Sequence, residues 1–104
     1  RRILSGDEYL IVLVTYDVCT TTPEGARRLR KVARACMNYG TRVQMSVFEC
    51  RLTPAQRVML ESELKQIIDE ESDSLRIYDL GNNPSRITHI GSKKPLDVDG
   101  LLLF

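Results

Sequence analysis

Between Tyr9 and Asp17 the chain reads YLIVLVTYD, an unbroken apolar and β-branched run that ends on an aromatic and then an acid. A run of this kind predicts a strand with both faces covered, and so the centre of a sheet. Its last position, Asp17, sets a carboxylate on rigid backbone at the rim of the core, a suitable place for a metal ligand. VCTTTPEG follows and closes on a helix start: Thr22 suits the N-cap, Pro23 the first helical position, and Glu24 the positive end of the dipole. The helix is expected to run to about Asn38 and stop at Tyr39-Gly40. Leu29, Val32, Ala33, Cys36 and Met37 recur with the spacing of a core-facing stripe. Arg27, Lys31 and Arg34 cluster on the opposite side, with Arg30 and Arg28 on its flanks.

Strand composition returns over 42–52, RVQMSVFECRL, with Val43, Met45, Val47 and Glu49 on one face and Gln44, Ser46, Phe48 and Cys50 on the other if the stretch is continuous. It is either one strand or two short ones joined by a kink near 44–46. The next helix start combines Thr53 as N-cap, Pro54 and a capping-box glutamine at Gln56. Leu60, Leu64, Ile67 and Ile68 form its predicted buried stripe, Glu61 and Lys65 an i, i+4 pair, and Val58 points away from the core; the helix is expected to end near Glu71. A third strand is predicted over 74–80 and a short fourth over 86–90, a hairpin pair across Gly81-Asn82-Asn83-Pro84. The closing GLLLF reads as an edge strand, added either to its own sheet or to a neighbour's.

The order β, α, β, α, β, β fits an α+β sandwich with two helices on one face of an antiparallel sheet. If 42–52 supplies two strands, this is the ferredoxin-like plan, extended by the C-terminal edge strand. Residues 9–104 are expected to form one domain, with 1–8 an N-terminal extension or tag remnant. No internal repeat or low-complexity segment is visible.

At 104 residues and 42% hydrophobic content, a core is affordable but an enzyme working alone would be small, so a symmetric oligomer is an early expectation. Formal charge is only +1, yet the basic residues gather in the first helix and Glu61, Glu63, Asp69, Glu70, Glu71 and Asp73 gather elsewhere. It is the local field that steers a polyanion. The 3 cysteines, Cys19, Cys36 and Cys50, have no paired spacing and no secretory signal before them, which fits a reduced, cytoplasmic protein. Nothing approaches the roughly 18 apolar residues of a membrane span.

One histidine, His89, excludes a histidine-based metal cluster within one chain, the scattered cysteines argue against zinc, and serine or cysteine nucleophiles lack an activating base. Metal-dependent chemistry or pure binding remains. Asp17 is the best ligand, but magnesium in phosphoryl-transfer sites takes one or two carboxylates with waters and substrate phosphate. A two-fold axis beside the strand end would bring two copies of Asp17 together. The alternative is an Asp17 that caps a turn. Asp79, Asp97 and Asp99 stand in or near turns. The basic helix face offers either sequence-independent phosphate contacts or an ordinary solvated surface. Tyr16, Tyr39, Phe48 and Tyr78 either stack on bases or fill the core.

YDV at 16–18, TTTPEG at 20–25, GARRLRKVARACMNYGTRVQMSVFEC at 25–50 and the closing LDVDGLLLF together resemble the CRISPR-associated protein 2 family, in order, over about four-fifths of the chain. SRITHIG and the tail are similar to the variant that accompanies type I-C systems. The resemblance implies a ferredoxin-like homodimer in which Asp17 binds magnesium facing its symmetry mate. It also implies magnesium-dependent endonuclease activity on double-stranded DNA or single-stranded RNA in some members, and in others a non-catalytic, DNA-measuring scaffold for the partner integrase in spacer acquisition. A toxin-like ribonuclease related to virulence-associated protein D shares the fold and is a further alternative. By motif position the resemblance places Tyr16 and Asp17 at the catalytic strand end, Arg27 and Arg28 at the basic start of the helix, and Ser46 and Phe48 near the cleft. Lys31 and Arg34 complete the expected nucleic-acid contacts.

Overall fold

In the computed structural model, residues 9–91 are described. They form β1 (Leu10–Asp17), α1 (Pro23–Met37), β2 (Gly40–Gln44), β3 (Val47–Leu52), α2 (Pro54–Ile67) and β4 (Ser74–Asp79), followed by a 3-10 turn at Pro84–Arg86. The sheet has the order β2-β3-β1-β4 with every neighbouring pair antiparallel, the ferredoxin-like arrangement with β1 inside.

Both helices start as local chemistry dictates. The Thr22 hydroxyl accepts from the Gly25 N–H at 3.1 Å, and Thr53 and Gln56 close a capping box at 3.2 and 2.9 Å, each such cap worth about 1 kcal/mol. Val32, Ala33 and Cys36 of α1 and Leu60 and Leu64 of α2 meet Val12, Val14, Phe48, Cys50 and Leu52 of the sheet in one buried cluster. Val58, as expected, stays outside it.

The sequence 42–52 supplies two strands joined by a tight turn at Met45 and Ser46, with a register shift between Arg42 and Gln44 that ends the strict alternation a single strand would keep. Two expectations fail. α2 ends at Ile67, short of Glu71, because Ile68 is extended and the Ser72 and Asp73 N–H groups turn back onto the Asp69 carbonyl. No fourth strand forms over 86–90: the Asn83 side chain and Pro84 start a 3-10 turn instead, while Leu80 and Gly81 continue the pairing onto Ile11 of β1. The expected edge strand in the tail lies outside the described residues.

β1 is central, yet the helices cover only one of its faces. Val12, Val14 and Tyr16 point into the core; Leu13, Thr15 and Asp17 alternate to the other side. There, Leu13 lies between Glu49 and Tyr78, and Thr15 between Val47 and Arg76. Leu13, Thr15 and Val47 are half-buried and Tyr78 is 43% exposed, whereas Ile11 at the other end of the same face is buried, so neither helix covers this mixed surface and its Leu13–Thr15 part stays partly open.

Candidate metal and nucleic-acid site

Asp17 is exposed at the last position of β1, on the helix-free face and paired across the strands with Ser74. Its backbone is fixed from both sides of the residue. Before it, the Tyr16 N–H donates to the Ser46 carbonyl at 3.1 Å. After it, Val18 is buried, and the Cys19 N–H donates to Asp73 at 3.0 Å. The Cys19 carbonyl lies so close to α1 that a Cβ at Gly25 would collide with it, which is why the first helical turn carries glycine.

Tyr16, although adjacent in sequence, belongs to the other face. It is 6% exposed, its ring lies 6.3 Å from that of Phe48, and its hydroxyl donates to the Met45 carbonyl at 3.3 Å and accepts from Arg42 at 3.4 Å. Burial, the largest influence, raises its pKa, and its hydroxyl points beneath the sheet, away from the face that carries Asp17. The pairing of Tyr16 with Asp17 as one catalytic constellation is therefore not reproduced; alternation separates them. Phe48 has no exposed surface with which to stack on a base, and its expected contact to nucleic acid gives way to a core role. Ser46 contributes its carbonyl to Tyr16 from the turn.

Arg42, counted in the sequence only as the start of a strand, is 5% exposed. Its guanidinium lies 5.2 Å from the Phe48 ring centre, a cation–π contact, and reaches the Tyr16 hydroxyl; its Nε has no hydrogen-bond partner. Arg42, Tyr16 and Phe48 thus tie the turn at 45–46 to the end of β1. A buried arginine at a strand start carries no sequence signal of its own.

The basic residues divide. Arg30, Lys31 and Arg34 are exposed, and among the described residues they have no ion-pair partner. Lys31 and Arg34 line an open groove of about 390 Å³ between the helices, with Asn38, Glu63 and Gln66. Arg27 is exposed and lies 3.6 Å from Glu24. Arg28 is held by Asp73 at 2.8 Å. Because the sheet lies beneath the helices, Asp17 and the Lys31–Arg34 groove occupy different sides of the molecule.

No group of three or more His, Cys, Asp or Glu side chains among the described residues could hold a metal ion. At the end of β1, one chain offers one exposed carboxylate, Asp17. That donor set fits magnesium only as a partial ligand, with the other positions left to water, phosphate and a second copy. No helix among the described residues is long and apolar enough to cross a membrane.

Comparison with known proteins places this geometry among relatives. The family model described as CRISPR associated protein Cas2 matches residues 10–86. The chain is 55% identical to the CRISPR-associated endoribonuclease Cas2 of Chlorobaculum tepidum, over 90% of this chain and 99% of that one. It is 54% identical to the CRISPR-associated endonuclease Cas2 of Halalkalibacterium halodurans, over 91% and 100%. Among solved structures, Streptococcus pyogenes Cas2 at pH 6.5 superposes with a TM-score of 0.68 at 56% identity, covering 78% of this chain and 99% of that one.

Proposed function

This chain belongs to the CRISPR-associated Cas2 family, and from that premise we propose that it acts in CRISPR adaptation as a nucleic-acid-binding homodimer with magnesium-dependent phosphodiesterase capacity. The observation that carries the reading is Asp17: an exposed carboxylate on fixed backbone, at the end of a central strand, on a sheet face that neither helix covers. A second copy packed face to face buries Leu13, Thr15, Val47 and Tyr78 and sets the two Asp17 carboxylates opposite each other across a two-fold axis.

Each residue then has a task. Asp17 and its mate would hold magnesium, which would supply Lewis-acid activation of water and offset phosphate charge. Tyr16, Phe48 and Arg42 keep the strand end from shifting. Arg27, at the same end of the molecule as Asp17, orients the phosphodiester backbone, double-stranded DNA first and single-stranded RNA as the competing substrate. The test is cleavage in magnesium by Asp17→Ala at matched dimer content; loss of at least about a hundredfold is expected, in the range of removing one essential electrostatic group. Activity equal to the unaltered protein contradicts the reading.

A second reading has its own support. Lys31 and Arg34 line a groove on the helical side, away from Asp17. Nucleic acid lying there is bound without reaching the carboxylates, as in a DNA-measuring scaffold for a partner integrase. Charge reversal at Lys31 and Arg34 separates the two: a scaffold loses spacer acquisition with it and keeps acquisition in Asp17→Ala.

A further inference from the structure

Asp73 entered the sequence as one acid among several between α2 and β4. In the structure its side chain has no exposed surface and both of its oxygens are occupied. Oδ2 accepts from Arg28 Nε at 2.8 Å and from the Asp69 N–H at 2.9 Å. Oδ1 accepts from the Cys19 N–H at 3.0 Å and from Arg28 Nη2 at 3.3 Å. Three segments therefore meet on one carboxylate: the loop leaving Asp17, the N-terminal half of α1, and the turn after α2.

The placement bears directly on the site. Asp73 immediately precedes Ser74, the cross-strand partner of Asp17, while its side chain grips the loop two residues beyond Asp17. The Asp17 backbone is thus bracketed by one residue through both its neighbouring strand and its exit loop. Arg28 completes the bracket. Its Nη2 also donates to the Ser72 hydroxyl at 3.4 Å, so the Nε–Nη2 edge of the guanidinium is committed to Asp73 and Ser72. For Nε or Nη2 to turn to a phosphate, Arg28 would have to abandon a buried carboxylate, which is strongly unfavourable. Arg30, Lys31 and Arg34 face no such competition.

We propose that Asp73 is a positioning residue for Asp17, fixing the β1 exit loop through the Cys19 N–H, and that Arg28 serves the site through Asp73 rather than by touching phosphate. The claim rests on the reading of Asp17 as the metal-holding carboxylate and adds the device that keeps it in place.

The experiment uses the full chain with Arg28→Ala, Asp73→Asn and the double variant. Cleavage of DNA in magnesium and DNA binding across a salt series are measured together with hydrogen exchange at the Cys19 amide. Each single variant is expected to lower kcat about tenfold with KM nearly unchanged, the pattern of a group that acts on the reaction geometry and not on ground-state binding. The double variant falls no further than the worse single one, because both act through one contact. The salt dependence of binding stays as in the unaltered protein, and Cys19 exchanges at least about tenfold faster in Arg28→Ala, as expected when a local anchor opens.

A rise in KM at constant kcat, or a salt slope shallower by about 0.7 to 0.9, would make Arg28 a phosphate contact and overturn the proposal. So would additive losses in the double variant or unchanged exchange at Cys19. The exchange measurement needs neither cleavage nor nucleic acid. If the unaltered protein cleaves nothing, the metal reading fails, and exchange at Cys19 in Arg28→Ala still decides whether Arg28 holds the loop through Asp73. Should Asp73→Asn not fold, Arg28→Ala alone carries the exchange and salt arms.

Discussion

Tyr16 and Asp17 stand on opposite faces of one strand, so each can be altered without entering the other's surroundings. Tyr16→Phe removes the hydroxyl shared by the Met45 carbonyl and Arg42 and leaves the buried guanidinium with one partner fewer. A loss of about 1 to 2 kcal/mol in urea unfolding is expected, the usual cost of an orphaned buried polar group. The cysteines separate in the same way. Burial pushes Cys36 up to about 12 and Cys50 up to about 11, whereas the Thr21 hydroxyl 3.3 Å from the Cys19 sulfur lowers that thiol. Only Cys19 should therefore react with a disulfide reagent in the folded protein, and all three after unfolding. Asp73 carries a pH signature. Its hydrogen bond to Arg28, the largest influence, holds it at about 2 against an ordinary 3.8. Since the folded value is the lower one, its contribution is complete above the ordinary value and disappears as pH falls through about 2. Unfolding curves of Asp73→Asn and the unaltered protein should accordingly converge over that interval.

At the scale of elements, what was legible in the sequence was local. Thr22-Pro23 and Thr53-Pro54-Ala55-Gln56 carry their cap chemistry within a few positions, and the α1 stripe shows its period on its face. β1 was recognisable from composition alone. What failed depended on partners far along the chain. The end of α2 is set by a turn whose anchor, Asp73, is tied to Cys19 and Arg28, 54 and 45 positions away. For the same reason Arg28 resembled a phosphate contact: its helix is basic, and its acid is out of sight. The 86–90 segment had strand composition, but the 3-10 turn at Pro84–Arg86 turns the chain away, and β4 remains the edge of the sheet. The helix-free sheet face makes the next prediction. Leu13, flanked by Glu49 and Tyr78, sits within the proposed contact between copies. Leu13→Arg should weaken self-association about a hundredfold or more in sedimentation equilibrium, the scale of losing a central anchor, while the fold survives. An unchanged dimer would place the contact elsewhere.

At the scale of the whole molecule, the net charge of +1 conceals a division of labour. Arg30, Lys31 and Arg34, without an ion-pair partner among the described residues, are exposed on α1, and Asp17 lies beyond the sheet, so the proposed binding groove and the proposed metal site stand on separate sides of one chain. The family's fold was readable from element order; the separation of these sides was not, because it follows from which face of β1 each residue takes once the helices have packed. Asp17 becomes a credible metal site only when another chain supplies a second carboxylate. The measurement that tests this most directly mixes unaltered and Asp17→Ala chains, lets them exchange subunits, and follows magnesium-dependent cleavage against the unaltered fraction. If both carboxylates of a dimer are required, activity follows the square of that fraction, so an equal mixture retains about one quarter. Activity falling in simple proportion, with about one half retained in the equal mixture, would mean that each Asp17 works alone and would contradict the paired site.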